Sequence, residues 1–385
     1  MRTVDLFCGC GGLSLGFQRA GFEIVGAFDC WELAIDCYSN NFKHKAHYLD
    51  ISKKNLALKE IRPLKPDVII GGPPCQDFSS AGKRNEGDRA SLTISFAKII
   101  NSIRPKYFVM ENVARAKSSD AYNDAKKIFK RAGYGLTEQV LDASKCSVPQ
   151  KRKRFFCIGA LKESDGFLDS YLAANQDVLP LNIYTYFSKN NYNLPFEFYY
   201  RHPRTYTRRA IFSVYEPSPT IRGVNRPKPP EYKKHPLDAT EPENVRSLTT
   251  QERALLQTFP PTFNFGNNQM VAEQMIGNAV PVNLAYHVAH SLLAFIKQDI
   301  HNQSVNFNEW LQQKHHYTPL AAKDAISHLS RCNRILPFQN QTESEYFAQL
   351  ETHESFKKLS KSIRSQLKRA VILYTEYVQG SQNNI

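Results

Sequence analysis

Short apolar runs alternate with amphipathic stretches through the first 160 residues of the chain. Strands are predicted at 2–7, 23–29, 67–71, 107–111, 136–142 and 154–160. Helices are predicted where apolar residues recur every three or four positions, at 13–20, 31–41, 92–103 and 121–132. Because strands and helices alternate, we expect an α/β fold with a doubly wound, mostly parallel sheet. Its functional site should lie at the carboxyl ends of the strands.

The pattern changes near residue 161. From there to about 245 the chain is rich in Tyr, Pro, Asn and Arg, and its periodicity is poor, which favours a smaller second domain of short strands and loops. Helical patterning returns at 249–257 and 281–297. We therefore predict a main domain built from 1–160 and 246–298, a separate region at 161–245, and a helical C-terminal extension at 299–385. The sequence does not indicate the role of that extension, and packing on the core is the default expectation.

The charge balance favours a polyanionic partner. Lys and Arg number 50 against 36 Asp and Glu, a net charge of +14. The surplus is concentrated, because residues 145–154 hold five basic residues and no acid, and residues 200–235 hold nine against two acids. A solvated basic surface is the alternative. No signal peptide and no run of about 18 apolar residues is evident, so we expect a cytoplasmic protein that does not contact a membrane.

Eight cysteines raise the question of a metal site. Their spacing includes one C-x-C and no C-x₂-C pair, which disfavours structural zinc. We expect no metal, and we expect most of these cysteines to be small core residues. Cys75 is the exception, for the reason given below.

A glycine turn joins the first predicted strand to the first helix. It reads Asp-Leu-Phe-Cys-Gly-Cys-Gly-Gly at 5–12, and glycines there let the backbone approach a ligand closely. It departs from the dinucleotide fingerprint because Ser14 stands where the third glycine would be. Asp29 ends the second predicted strand, where a carboxylate commonly binds ribose hydroxyls. Capping of the following helix is the alternative role for Asp29.

Three further motifs end or enter strands at the same predicted edge. Gly-Gly-Pro-Pro-Cys-Gln at 71–76 presents Cys75 after two stiff prolines, which suits a nucleophile; a buried thiol in a turn is the alternative. Glu-Asn-Val at 111–113 offers a carboxylic acid to a ring nitrogen, or is an exposed strand end. Gln-Lys-Arg-Lys-Arg at 150–154 would place Arg152 and Arg154 on one face. Two guanidinium groups on one face suit the binding of phosphate or carbonyl oxygens. The alternative is that these residues only form a charged entrance to the strand.

Together with Gly-Asn-Ala-Val-Pro at 277–281, and the segment from Arg-Ser-Leu-Thr at 246–249 to Phe-Pro at 259–260, these motifs form an ordered set. The set closely resembles the cytosine-C5 DNA methyltransferases of bacterial restriction–modification systems. The resemblance covers about 1–160 and 245–298. It implies an S-adenosylmethionine-dependent, Rossmann-like methyltransferase domain, a target-recognition region at 161–245, and an enzyme that methylates C5 of a flipped cytosine in a specific duplex DNA sequence.

The resemblance also implies residue roles. Cys75 resembles the nucleophile, Glu111 the acid at N3 and the exocyclic amine, Arg154 the arginine near the base O2, and Arg152 a neighbouring DNA contact. The positions that resemble S-adenosylmethionine contacts are Phe7, Gly9, Cys10, Gly12, Asp29, Asp50, Ile51, Pro74, Leu92, Asn278 and Val280. Two positions depart from the family pattern: Cys30 stands where a larger apolar residue is common, and Ala279 where a serine is also found.

DNA contacts are expected from two places. The polar loop 76–89 carries Gln76, Ser79 and Arg89, and should close over DNA. In the target-recognition region the candidate phosphate or guanine contacts are Arg201, Arg204, Arg208, Arg209, Arg222 and Arg226. We expect double-stranded DNA as the partner, a monomeric enzyme, and a cognate restriction endonuclease whose sites the methylation protects.

Three alternatives remain open from the sequence. An RNA cytosine methyltransferase carries the same motifs, but a long basic recognition region disfavours it. An inactive DNA-binding regulator on the same fold would have lost Cys75 or Glu-Asn-Val at 111–113, and both are present. A nicotinamide-dependent oxidoreductase is disfavoured by the broken glycine fingerprint.

Overall fold

A computed structural model describes residues 1–74, 91–205, 207–243, 245–297, 307–336 and 342–382. The strands are β1 (Arg2–Leu6), β2 (Glu23–Asp29), β3 (Ala46–Tyr48), β4 (Val68–Gly71), β5 (Tyr107–Val113), β6 (Tyr134–Asp142), β7 (Gln150–Lys151), β8 (Lys153–Leu161), β9 (Phe198–Tyr200), β10 (Ile211–Ser213) and β11 (Ser218–Pro219). The helices are α1 (Gly12–Arg19), α2 (Glu32–Asn41), α3 (Lys54–Ile61), α4 (Ser91–Ile103), α5 (Asp120–Arg131), α6 (Asp169–Ala174), α7 (Ile183–Lys189), α8 (Thr250–Leu256), α9 (Gln269–Asn278), α10 (Val282–Ile296), α11 (Phe307–Lys314), α12 (Pro319–Ile335), α13 (Glu343–Thr352), α14 (Glu354–Lys357) and α15 (Lys361–Gln382).

The central sheet follows the order β3-β2-β1-β4-β5-β8-β6. Strands β1 to β5 pair in parallel, whereas β8 runs antiparallel to both β5 and β6. The prediction of a doubly wound, mostly parallel α/β sheet is confirmed. The predicted strands and helices of the first half are present with ends shifted by a few residues, and the short β3 and α3 between them were missed.

Helices cover both faces of the sheet because its central strands are apolar on both sides. On one face α3, α4 and α5 bury Ile61, Phe96 and Phe129 against the strands. On the other face α1, α6 and α10 pack together. Gly16 lets α1 approach α10, since a Cβ there would lie 2.4 Å from the Cβ of Ala285.

Among the described residues, Gln269–Ile296 is the stretch with the length and hydropathy to cross a membrane. It is two helices, α9 and α10, separated at Pro281. Much of it is buried, including Leu284, Val288 and Leu292, which pack on the sheet. It therefore forms part of the protein core.

The C-terminal helices have a core of their own. Phe307, Leu329, Leu350 and Leu367 are buried in it, and from the rest of the chain it takes in Val178 and Leu179. The predicted helical C-terminal extension is present. Its last part is divided into α14 and α15, and the backbone N–H of Ile363 donates to Ser360 Oγ, which caps the start of the second helix.

Candidate active site and DNA-recognition surface

The carboxyl ends of β1, β2, β4 and β5 meet at one edge of the sheet. Leu6 lies beside Phe28 on one neighbouring strand and beside Gly71 on the other, and Gly71 lies beside Met110. The segments that follow these residues are therefore neighbours: the glycine turn, Asp29, Pro73–Pro74 and Glu111. This is the edge at which the sequence motifs were expected to converge.

The glycine turn has a backbone that few side chains tolerate. Phe7, Gly9 and Gly11 all have positive φ, at 65°, 52° and 96°. A Cβ at Gly12 would lie 2.3 Å from the carbonyl oxygen of Val280. The turn and the 277–281 segment, far apart in sequence, are thus in direct contact, and a larger residue at position 12 would separate them.

Asp29 ties the turn to the start of α2. Its Oδ2 accepts a hydrogen bond of 2.8 Å from Gly9 N–H, and its Oδ1 accepts from the N–H groups of Cys30 (2.8 Å) and Trp31 (2.9 Å). The N–H groups that it binds precede α2, whose N-cap residue is Trp31, so Asp29 orders the connection into the helix but does not cap it. Its contact with a ribose remains a prediction.

The remaining predicted cofactor positions surround the same edge. Asp50 and Ile51 follow β3. Just before them, the backbone N–H of Leu49 donates a hydrogen bond of 2.9 Å to the carbonyl oxygen of Asp29, which keeps this segment beside the end of β2. Asp50 accepts hydrogen bonds from Ser52, and these bonds lower the pKa of its carboxyl. Ile51, Cys10 and Val280 are buried, Phe7 and Leu92 are half-buried, and Pro74, Asn278 and Cys30 are exposed.

Two predicted catalytic residues, Glu111 and Arg154, form a buried ion pair at this edge. Arg154 Nε lies 3.0 Å from Glu111 Oε1, and Glu111 is only 8% exposed. Burial raises the pKa of the Glu111 carboxyl, while Arg154 and then Arg152 oppose the rise. The other oxygen, Oε2, lies 3.1 Å from where a Cβ would stand on Gly72. A glycine at 72 therefore keeps the space beside Oε2 open.

The Pro-Pro turn is held against the same strand end. Asn112 Nδ2 donates to the carbonyl oxygen of Pro73 at 3.1 Å. This bond fixes the backbone at Pro73, next to Pro74, which is the last described residue of this stretch. Four predicted site residues, Cys75, Gln76, Ser79 and Arg89, lie outside the described residues.

Arg152 occupies a different position from the predicted DNA contact. It is 1% exposed, and its guanidinium donates to three carbonyl oxygens, those of Ile221 (2.9 Å), Gly277 (2.9 Å) and Ala279 (3.0 Å). Burial lowers its pKa well below the usual value. A guanidinium engaged with three carbonyls braces the backbone around the site rather than facing solvent.

Two glutamines that were not predicted as site residues bind the same backbone segments as Arg152. Gln150 Nε2 donates to Gln257 Oε1 at 2.9 Å, and its Oε1 accepts from Ile221 N–H at 2.9 Å. Gln257 in turn donates to the carbonyls of Ile276 and Ala279. Gln150 was visible as the first residue of its motif, whereas no sequence pattern marked Gln257.

Comparison with known proteins addresses the family. The family model described as C-5 cytosine-specific DNA methylase matches residues 1–294. The type II methyltransferase M.HgiDI of Herpetosiphon aurantiacus is 53% identical over 299 residues, 77% of this chain and 96% of the relative. The type II methyltransferase M.HindV of Haemophilus influenzae is 53% identical over 303 residues, 78% of this chain and 99% of the relative.

The chain belongs to the C-5 cytosine-specific DNA methylase family. The predicted enzyme class, a DNA (cytosine-5-)-methyltransferase, is thereby confirmed.

Solved structures agree on the fold. The S. pombe Dnmt2 methyltransferase has a TM-score of 0.57 at 18% identity, over 78% of this chain and 99% of that chain. A putative DNA modification methyltransferase encoded within an E. coli prophage has a TM-score of 0.55 at 22% identity, over 77% and 99%.

The family match of this methylase stops at residue 294, and the alignments with the two relatives cover 77% and 78% of this chain. The helices from α11 to α15 therefore lie outside the family match. Their separate hydrophobic core is consistent with an appended unit.

The arginines of the predicted target-recognition region fall into two groups in the structure. Arg201 and Arg222 donate to the carbonyls of Thr220 and His202, and Arg209 pairs with Glu216. Their guanidiniums are engaged within the methylase. The second group is exposed and consists of Arg204, Arg208 and Arg226.

Proposed function

We propose that this methylase transfers a methyl group from S-adenosylmethionine to C5 of a cytosine flipped out of duplex DNA. Cys75 is the nucleophile and Glu111 the acid, and the enzyme serves a type II restriction–modification system. The observation that carries the proposal is the buried Glu111–Arg154 pair. It stands at the strand edge where the glycine turn and Pro73–Pro74 converge.

The glycine turn fits the proposed cofactor. A Cβ on Gly9 would meet no atom within 4 Å, although the neighbouring Cys8 and Cys10 are buried. This leaves an open notch beside Phe7 and Asp29, into which a ligand can approach the backbone. We propose that Phe7, Gly9, Asp29, Asp50 and Ile51 hold the nucleoside end.

The other predicted positions, Cys10, Gly12, Pro74, Leu92, Asn278 and Val280, complete this proposed cofactor site. The direct contact of Gly12 with Val280 supports grouping the turn with the 277–281 segment. When bound, S-adenosylmethionine supplies a methyl group activated by a sulfonium centre.

The residues of the chain prepare the base. Addition of the Cys75 thiolate to C6 breaks the C5–C6 double bond and makes C5 nucleophilic, a form of covalent catalysis. A proton on Glu111 stabilises the negative charge that develops on N3. Burial raises the pKa of Glu111 and so favours the protonated form, while Arg154 holds the carboxyl in place. Loss of the C5 proton with expulsion of the Cys75 thiolate then restores the aromatic ring.

The target base must leave the duplex to reach this edge. Unstacking costs a few kcal/mol, which contacts in the pocket and in the vacated stack must offset. The three exposed arginines, Arg204, Arg208 and Arg226, are placed to bind the phosphate backbone or base edges, and we propose that they hold the duplex. Arg201, Arg209 and Arg222 support the region that presents them. Gln76, Ser79 and Arg89 remain proposed DNA contacts from the loop after Cys75.

The biological role is proposed from the relatives. Both relatives at 53% identity are named type II methyltransferases. We infer that methylation by this enzyme, acting as a monomer on double-stranded DNA, protects the sites of a cognate endonuclease.

The test is a methylation assay on plasmid DNA followed by bisulfite sequencing. The account predicts 5-methylcytosine at one short sequence, dependent on S-adenosylmethionine, and no methylation of tRNA in a parallel reaction. Methylation of tRNA with unmodified plasmid would contradict it. An endonuclease that cleaves the unmethylated plasmid at the same sequence, and spares the methylated one, would identify the partner.

A further inference from the structure

A short piece of the target-recognition region, residues 221–226, is bonded to the main domain almost residue by residue; we call it the clamped segment. The backbone N–H of Ile221 donates a hydrogen bond to Gln150 Oε1, and its carbonyl oxygen accepts one from the Arg152 guanidinium, each at 2.9 Å. These bonds are buried, so water does not compete for them.

The next residues of the clamped segment are held as tightly. The carbonyl of Arg222 accepts a hydrogen bond from Arg253, whose other amino group pairs with the buried Glu273. Gly223 packs directly on Gly277, since a Cβ on Gly277 would lie 2.1 Å from the backbone nitrogen of Gly223. The backbone therefore cannot shift at these positions without breaking buried contacts.

The far end of the clamped segment is also anchored. Asn225 Nδ2 donates to the carbonyl of Leu248 at 2.7 Å and to Glu273 Oε1 at 3.2 Å. The carbonyl of Arg226 accepts from Ser247 Oγ at 2.8 Å. The segment is thus a rigid edge of the main domain, although its sequence belongs to an irregular region.

Val224 is the residue that this rigid edge presents outward. It is 55% exposed, although it is apolar and its neighbours on the segment are bonded inward. It lines a small cavity whose other members are mostly cationic or polar, including Arg201, His202, Arg222 and Asn225. Burial lowers the pKa of Arg253, and the nearby Arg201 and Arg222 lower it further. Burial also lowers the pKa of His202, followed by the charges of Arg226, Arg222 and Arg201, so these cations lie close together.

A ligand that fits an exposed apolar side chain in a cationic cleft should be anionic and should also offer an apolar surface, as DNA does. Cations bind phosphates without regard to sequence, whereas an apolar group in the major groove distinguishes the C5 edge of a pyrimidine, which carries a methyl group in thymine. A side chain on a clamped backbone makes that contact without a cost for ordering a loop.

We propose that Val224 is a specificity-determining residue that contacts the C5 edge of one pyrimidine in the major groove of the target duplex. Arg204 and Arg226 flank it and bind phosphates. This inference rests on the proposed reading of DNA by residues 161–245.

Exposed apolar residues are common on protein surfaces and need no function by themselves. Leu237 provides the comparison within the same region, because it is 69% exposed but lies neither on the clamped segment nor in the cationic cavity. Of these two exposed apolar residues, the proposal predicts that only Val224 influences the choice of sequence.

The experiment measures methylation by wild type, Val224→Ser and Leu237→Ser on a plasmid library in which the target and its flanks are randomised. Bisulfite sequencing gives relative rates for each base at each position. Val224→Ser should lose about 10-fold of the discrimination at a single pyrimidine position, since serine removes the apolar surface that the bound base would cover. Leu237→Ser should leave the profile unchanged.

A second measurement links the residue to the base. At the position so identified, wild type should distinguish thymine from uracil, or cytosine from 5-methylcytosine, and Val224→Ser should not. An unchanged profile in Val224→Ser would overturn the inference, and so would an equal loss of rate on every sequence. If wild type methylates no duplex DNA, the proposed function fails instead, so the two failures are distinguishable.

Discussion

Arg154 Nε lies 3.0 Å from Glu111 Oε1 in a nearly buried ion pair that joins two antiparallel strands. The pair leaves the second carboxylate oxygen beside Gly72, where there is space for a base. Burial raises the pKa of the Glu111 carboxyl, whereas Arg154 opposes that rise and fixes the orientation of the group.

The first prediction concerns Glu111. Glu111→Gln cannot donate a carboxylic proton to N3, so kcat should fall by about 10²- to 10⁴-fold. DNA affinity should change little, because the exposed arginines are untouched. Single-turnover methylation and filter binding measure the two quantities.

Glu138→Gln is the matched control, because Glu138 also accepts bonds from a cation and a neighbour, Lys126 and Tyr122, but at the outer strand of the sheet. It should retain kcat. A Glu111→Gln enzyme with wild-type kcat would remove Glu111 from the mechanism.

The second prediction concerns Gly9. Gly9→Ala places a methyl group in the open notch of the glycine turn, so it should weaken binding of S-adenosylhomocysteine by 10-fold or more. Gly266→Ala is the control, because Gly266 also has positive φ and an unobstructed Cβ position but is not part of the turn. Both variants carry about 1–2 kcal/mol of backbone strain, so similar losses of stability are expected. Equal ligand affinity in the two variants would argue against the notch as a cofactor site.

The two groups of arginines give the third prediction. Arg226→Ala should weaken binding of DNA and reduce the slope of affinity against salt by about one phosphate contact. Arg209→Ala should instead lower thermal stability, because it breaks the pair with Glu216 and the contact with the face of Phe212. Salt titrations and thermal unfolding separate the outcomes. A reversal of the two effects would mean that exposure does not mark the DNA-binding arginines.

Asp5 provides a prediction about pH. Burial raises its pKa from 3.8 to about 8, although Ser14 donates a hydrogen bond of 2.6 Å to it. The folded state therefore binds a proton that the unfolded chain releases. The stabilising contribution is complete below about pH 4 and is lost as the pH rises to about 8, by at most about 1.4 kcal/mol per pH unit. Asp5→Asn should lack this loss.

Urea unfolding of wild type and Asp5→Asn at several values between pH 5 and pH 9 makes the comparison. As the pH rises, the free energy of unfolding of Asp5→Asn should increase relative to that of the wild type, and this difference should level off above about pH 8. A difference that is independent of pH would mean that Asp5 titrates normally.

The sequence predicted the sheet well because its central strands are buried on both faces and so appear as continuous apolar runs, as in Val68–Gly71. The positions of Asp29 at the end of β2 and of Glu111 near the end of β5 followed from the same pattern. The irregular region could not be predicted, because its backbone is held by side chains distant in sequence. Asp238 accepts from the N–H groups of Ala210 and Ile211, for example. Arg152 was assigned to DNA from the family resemblance, and the basic run could not correct this because it indicates charge but not the carbonyl groups that surround the guanidinium.

The most direct measurement concerns Cys75, which lies outside the described residues and carries the central claim. Release of the enzyme from the base requires loss of the C5 proton, and fluorine at C5 cannot leave as a cation. Duplex DNA with 5-fluorocytosine at the target should therefore form an adduct that survives denaturation, and it should form only with S-adenosylmethionine. Cys75→Ala should form none, while Cys8→Ala and Cys146→Ala should still form it. An adduct mapped to another cysteine, or undiminished methylation by Cys75→Ala, would contradict the account.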